Sequence, residues 1–258
     1  MPVRIIVILA LLAGSASADV AEICPQSKTL AVRVKDLRRS FEDARQDWYR
    51  SFRAAKTETE RNRLLAERVD AKTWLPRFQA IVDVDPSDTS AADALTWIVT
   101  HGGDATRLDA LDALVAHHVK RRIIGRACRR LVYLTDSASE RFLRTVLRRA
   151  PDVDVRGQAC FALARGLARR AGLATGKDGP ALRAEADRLF ERILKEFSKG
   201  KGFGMKLGDH AERDLFELRH LVVGKTAPDI KGCDADGAAF KLSDYAGNVV
   251  LIDFWGDW

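Results

Sequence analysis

The chain has 258 residues, 47% of them hydrophobic, which is enough to bury one sizeable core and too much for a disordered tail. Its formal net charge of +7 is a modest basic excess, and its four cysteines, Cys24, Cys128, Cys160 and Cys233, include no CxxC pair.

At the amino end Arg4 gives a positive start, residues 5–13 form a short apolar run, and Ala16-Ser17-Ala18 precedes Asp19 as a small-residue cleavage pattern. Residues 1–18 therefore read as a removed signal peptide, and the protein as exported, periplasmic or extracellular. The apolar run falls well short of the roughly 20 residues of a membrane span, which argues against an uncleaved anchor. Ile23 before Cys24 argues against a lipid anchor, since lipoprotein signals place a small residue there. No later segment is apolar enough to span. Cleavage removes Arg4, leaving 42 of the 43 basic residues against 36 acids.

From Ser27 to about Asp70, Leu37, Phe41, Ala44, Trp48 and Phe52 recur at three- and four-residue steps, the stripe of an amphipathic helix. Thr57 and Glu60 have capping-box spacing, which predicts a break near Lys56. Shorter helices follow: 74–82 with Pro76 near its start, 91–99 after Ser90 and before Gly102-Gly103, then 105–119, 121–134, 140–149, 155–171, 182–197 and 209–220. Ser137 and Glu140 form a second predicted capping box, and Pro151 and Pro180 mark breaks. No strand-like alternation precedes residue 221.

Short helices in succession predict stacked helical hairpins that bury their apolar faces on one another. Residues 186–197, ADRLFERILKEF, loosely resemble the second helix of a tetratricopeptide-type hairpin, but no fixed period runs along the chain. Such an array offers a surface for a protein partner. The run Lys199-Gly200-Lys201-Gly202-Phe203-Gly204 lacks the GK[ST] ending of a phosphate loop and reads as a flexible connector. His117 and His118 point in different directions on a helix, and His101, His210 and His220 have no ligand spacing, so no metal site and no cofactor are assigned. The basic runs Lys120-Arg121-Arg122 and Arg129-Arg130 lie on helices without interleaved aromatics or a reading motif; they read as solvated helix faces rather than nucleic-acid contacts. Cys128 and Cys160, set among Ile124, Leu131, Phe161 and Leu163, read as small buried hydrophobes. Any pairing of Cys24 or Cys233 stays open.

After Leu221 the pattern changes. A Pro turn, the loop Asp234-Ala235-Asp236-Gly237, a short strand around Phe240-Lys241-Leu242 and the apolar run 249–254 follow, the last suited to a strand buried on both faces. The string Gly224-Lys225-x-Ala227-Pro228-Asp229, Asp236-Gly237, Phe240-x-Leu242-Ser243-Asp244-Tyr245-x-Gly247 and Val249-Val250-Leu251-Ile252-Asp253-Phe254-Trp255-Gly256-Asp257-Trp258 resembles the opening of the redoxin branch of the thioredoxin-like family. That branch holds the alkyl hydroperoxide reductase and thiol-specific antioxidant proteins and the exported thiol-disulfide oxidoreductases.

The resemblance implies an α/β thioredoxin-like domain beginning over 221–258, with protein thiols or disulfides, or a thiol reductant, as partners. In that family the residue after the Trp258 position opens the CxxC pair, at a helix N-terminus that stabilises a thiolate. Asp253 corresponds to the family's buried acid, which helps move a proton in thiol-disulfide exchange, and Trp255 and Trp258 to the aromatics beside the active cysteines. Without that thiolate the three residues are a strand acid and core aromatics, and no catalytic set is complete. A UGA codon differs by one base from the cysteine codons and also encodes selenocysteine, so a recoded residue at the next position is one expectation. A nonsense change, a frameshift and a shortened chain are the others. Without its sheet neighbours the run 249–254 either packs on the helices, lacks order, or belongs to a longer product.

The fold class expected is thus mostly α: a repeat-like helical array over 19–220, then the start of an α/β thioredoxin-like domain over 221–258. Two functions follow. One is an exported thiol-disulfide oxidoreductase or thiol-dependent antioxidant protein. The other is a non-catalytic helical scaffold with a vestigial redoxin segment. Cys233 as a lone redox thiol is opposed by the negative charge of Asp234 and Asp236.

Overall fold

A computed structural model describes residues 29–174 and 177–254, so the signal segment expected over 1–18, Cys24, Trp255 and Trp258 lie outside the described residues. The chain divides into two compact units, Met1–Val69 and Asp70–Trp258.

In the first unit, helix α1 (Leu30–Ala54) begins where the Thr29 hydroxyl accepts from the Val32 amide. Its predicted stripe is present: Leu37 and Phe41 are buried together with Val34, and Ala44, Trp48 and Phe52 are half-buried. The break falls where the sequence places it, and α2 spans Glu58–Ala66. Thr57 Oγ1 accepts from the Glu60 amide at 3.2 Å, while the Glu60 carboxylate accepts from Lys56, one residue before the usual return donor, at 3.3 Å. Trp48 Nε1 donates to the Leu64 carbonyl at 2.7 Å and ties α1 to α2.

The second unit opens with helices α3 (Leu75–Val82), α4 (Thr89–His101), α5 (Asp104–His118) and α6 (Ile124–Leu131). It continues with α7 (Ser137–Arg149), α8 (Val153–Leu173), α9 (Asp178–Arg192) and α10 (Leu207–His220). Asp88, Asp136 and Asp152 cap α4, α7 and α8 by accepting the amides of Ser90, Ser139 and Val155 at 2.7, 2.9 and 3.0 Å. The predicted Ser137–Glu140 capping box is therefore replaced. Asp136 supplies a charged acceptor one residue earlier, and Glu140 instead holds Arg144 at 2.8 Å and pairs with Arg170.

In this unit α3 packs on α4, α4 on α5, α7 on α8, α8 on α9 and α9 on α10, and α4 also packs on α6, α5 on α7, α6 on α8 and α8 on α10. This is the contact pattern of stacked helical hairpins, and the protein is mostly helical as expected. The core is apolar: Phe78, Leu95, Ile98, Leu111, Leu114, Ile124, Leu131, Phe161, Leu167 and Phe190 are essentially inaccessible. Each such side chain contributes about 2 kcal/mol of transfer free energy. Helix α8 is buried on most of its circumference, and Ala159, Ala162, Ala164 and Gly166 keep it thin enough for α6, α7, α9 and α10 to approach it.

The glycine run between α9 and α10 departs from expectation. After a π-helical turn at Ile193–Phe197, strands β1 (Lys201–Gly202) and β2 (Met205–Lys206) pair antiparallel around Phe203 and Gly204, whose φ values are 56° and 86°. Two positive φ angles in succession are those of a primed two-residue hairpin turn. Two-residue strands carry no alternation, which is why periodicity missed them. The glycines serve close approach rather than flexibility: a Cβ would lie 3.0 Å from Leu207 Cδ2 at Gly202 and 3.0 Å from the Ser198 carbonyl at Gly208. Gln158 of α8 clasps the hairpin, its Nε2 donating to the Lys201 carbonyl at 2.9 Å and its Oε1 accepting from Arg129 at 2.8 Å.

Beyond α10, β3 (Lys231–Cys233) pairs antiparallel with β4 (Ala239–Lys241), and a 3-10 turn follows at Leu242–Tyr245. The short strand expected around Phe240 is thus present. The expected strand over 249–254 is not: the segment has no regular structure, and Val249, Leu251 and Phe254 are 103%, 95% and 83% exposed. Among the described residues no strand pairs with it, and Val250 and Ile252 remain 44% exposed.

Candidate functional site

The motif residues between Pro228 and Gly247 are brought together by backbone chemistry. Asp234 Oδ1 accepts from the amides of Asp236 and Ala238 at 3.0 and 2.8 Å, which closes the β3–β4 turn, and Gly237 takes the left-handed conformation (φ 85°) that this turn demands. The register sets Lys231 opposite Lys241, Gly232 opposite Phe240 and Cys233 opposite Ala239. Asp229 reaches across 14 residues to accept from the Ser243 amide at 2.9 Å and its hydroxyl at 3.2 Å, beside a bond from the Leu242 amide to the Ile230 carbonyl at 2.8 Å. Asp244 accepts from the Lys241 amide at 2.8 Å. The Pro-Asp and Leu-Ser-Asp-Tyr motifs therefore form a single folded unit, a link the sequence gives no direct means of seeing.

Of the site residues expected from sequence, Asp253 is exposed within 249–254, and Trp255 and Trp258 lie outside the described residues. Two of the described cysteines are unsuited to act as nucleophiles. Cys128 and Cys160 are free and buried, and burial pushes both thiols up to about 12, far from a thiolate. Cys160 Sγ faces the Leu189 carbonyl at 3.6 Å. Cys233 is free and exposed on β3.

Two of the histidines are held by hydrogen bonds inside the fold. His118 is fully buried, with Nε2 2.8 Å from the Pro86 carbonyl. Arg213 donates to His210 Nδ1 at 3.1 Å, which leaves the other nitrogen, Nε2, to donate to the Phe203 carbonyl at 3.3 Å. The basic runs are largely engaged by neighbouring helices: Arg122 pairs with Asp152 and Asp154 at 3.0 and 3.5 Å, Arg126 with Asp93, and Arg129 bonds Gln158. Among the described residues no group of His, Cys, Asp and Glu is arranged to hold a metal, and no helix is long and apolar enough to cross a membrane.

Comparison with known proteins meets the chain through one short stretch. Over 42 residues it is 45% identical to the thiol-disulfide oxidoreductase ResA of Geobacillus thermodenitrificans, and to the same degree to that of Geobacillus kaustophilus. The stretch is 16% of this chain and 24% of each relative, so the chain spans about a quarter of the length of the curated proteins it matches. No family model matches the chain, and no solved structure does. The likeness is thus to a short part of a thiol-disulfide oxidoreductase.

Proposed function

We propose that the chain carries the helical array and the opening segment of an exported thioredoxin-like thiol-disulfide oxidoreductase, with the array holding the protein whose thiols or disulfide are exchanged. The observation that carries this reading is the 45% identity over 42 residues to a thiol-disulfide oxidoreductase. The motif string and the Asp229–Ser243 fold of its first half support it. On this reading the redox pair follows Trp258, Asp253 relays its proton, and Trp255 and Trp258 pack beside it. Export rests on the signal pattern of residues 1–18.

The test is to sequence the genomic codons after Trp258, express the frame through them, and measure insulin reduction. Cysteine or a recoded UGA, followed by x-x-Cys and by turnover that alkylation abolishes, supports the reading. A frame without such a pair removes its chemistry. The second reading, a non-catalytic scaffold, is favoured by the burial of Cys128 and Cys160 and by the absence of any assembled catalytic set among the described residues. Turnover by the 258-residue chain itself would sink it.

A further inference from the structure

The corners that join α5 to α6, α7 to α8 and α9 to α10 lie along one edge of the array. Arg122 of the first corner reaches Asp152 and Asp154 of the second at 3.0 and 3.5 Å. A Cβ built on Gly200 of the third lies 3.3 Å from Asp154 Oδ1. The corner between α3 and α4 adjoins the first, through the bonds of Pro86 to His118 and of Thr89 to Arg121, each at 2.8 Å. Helix α8 starts at this edge and, with 21 residues, ends about 30 Å away. The cavities of about 310 and 630 Å³, lined by Gly172 and by Ala171 and Ala174, therefore belong to the other edge.

The three corners share a sign. Over residues 117–123, 148–156 and 195–209, ten lysines and arginines stand against four acids. The first corner, with Lys120, Arg121 and Arg122, has no acid of its own. At the second, Arg122 takes both Asp152 and Asp154, and Arg156 turns to the Ala150 and Pro151 carbonyls at 2.9 and 2.8 Å, so Arg148, Arg149 and Arg156 meet no carboxylate among the described residues. At the third, Lys201 stands directly opposite Lys206 across the β1–β2 pair, an arrangement in which like charges repel, and neither has an ion pair among the described residues. Of the two acids there, Glu196 holds Arg192 at 2.9 Å and Asp209 is exposed. The α3–α4 corner reverses the sign, with Asp83, Asp85 and Asp88 and no cation over 83–88, and so ends the basic row. Two apolar side chains project among these cations: Val153 is 52% exposed and Met205 is 48% exposed.

We infer that this edge rests on an anionic lipid surface, with the lysines and arginines of the three corners at the phosphate layer and Val153 and Met205 entering the boundary of the acyl chains. The charge is strung along projecting corners rather than gathered in a hollow, and a flat anionic surface meets all three corners at once. Cations around exposed apolar tips are the composition of an interfacial contact. The aromatic anchors of a protein hot spot and the stacking platforms of a nucleic-acid site are not what the edge offers, since Phe203 turns inward onto Phe161 at 4.9 Å. No helix among the described residues is long and apolar enough to cross a membrane, so the contact is peripheral. The inference stands apart from the thiol chemistry proposed above, and its test involves none.

The full chain is cosedimented with vesicles of phosphatidylcholine alone and with vesicles containing about 30% phosphatidylglycerol. Partition onto the anionic vesicles should be at least about tenfold stronger at low salt and should collapse by about 0.5 M salt. Lys201→Glu with Lys206→Glu should weaken it about tenfold with the circular-dichroism melt unchanged, because both side chains are exposed. The same reversal on the β3–β4 hairpin, Lys231→Glu with Lys241→Glu, should change it less than about twofold. Val153→Ser with Met205→Ser should weaken it about threefold and leave its salt dependence as it was. Equal partition onto the two kinds of vesicle, no partition, equal losses in the two lysine variants, or tighter binding to soluble polyglutamate than to the anionic vesicles overturns the proposal, the last in favour of an acidic protein.

Discussion

His118 illustrates what a single buried residue commits the fold to. Its Nε2 is bonded to the Pro86 carbonyl and its Nδ1 is buried without a hydrogen-bond partner, so a second ring proton would have no acceptor. Burial is the largest influence and holds its pKa below the ordinary 6.5; the Pro86 bond and Asp88 oppose it, while Arg121 and His117 push the same way. The unfolded chain binds a proton near pH 6.5 where the folded chain does not, so stability should fall as pH drops below that value. The melting temperature measured at about pH 8 and pH 5.5 should show this loss, and His118→Gln should reduce it. The cysteines give a second residue-scale expectation. Among the described thiols only Cys233 should react with a disulfide reagent under native conditions, and Cys128 and Cys160 should follow when the chain is unfolded. Their burial was legible from apolar neighbours such as Ile124 and Phe161. The pairing of Gln158 with Arg129 and the Lys201 carbonyl was not, because a lone glutamine in a helix gives no sign of which loop it will meet.

Among the elements, the hairpin after α9 separates two kinds of glycine. Gly208 faces the Ser198 backbone at a distance no Cβ tolerates comfortably, whereas Gly172 faces open space. Gly208→Ala should cost about 1–3 kcal/mol through overpacking. Gly172→Ala should stabilise by about 0.5 kcal/mol through backbone entropy. Urea denaturation of the two variants checks both the magnitudes and the opposite signs. Several helix positions were readable from the sequence because a 3.6-residue apolar period survives in them, as in α1 and α7, whereas α8 is buried on most of its circumference. Helix starts were less so: α4 and α7 are capped by Asp88 and Asp136, which accept the Ser90 and Ser139 amides and lie one or two residues ahead of the serines the sequence suggests. The 249–254 strand was misplaced for a different reason. Its composition is that of a buried strand, but a strand needs a neighbour, and periodicity contains no information about whether one is there.

For the molecule, that exposed run has a consequence in solution. Val249, Leu251 and Phe254 stand clear of the protein with a single charge, Asp253, among them, a combination that promotes association between chains. Leu251→Lys should reduce concentration-dependent oligomer formation in sedimentation velocity and leave the helical signal unchanged. The expected redox site is visible only as motif and spacing: Trp255 and Trp258 lie outside the described residues, and Asp253 is exposed. The array, by contrast, carries a regularity that composition hid. Pro86 with His118, Thr89 with Arg121, Asp93 with Arg126, Arg129 with Gln158, Glu140 with Arg170 and Asp187 with Arg219 are joined over separations of 29 to 33 residues. Each tie closes a loop of about one helical pair, and the entropy of closing such a loop is small and nearly the same every time. No contact among these has to wait for the chain's distant parts to meet. Folding can begin at any pair and spread to the next, so a chain delivered gradually from its amino end settles in the order in which it arrives.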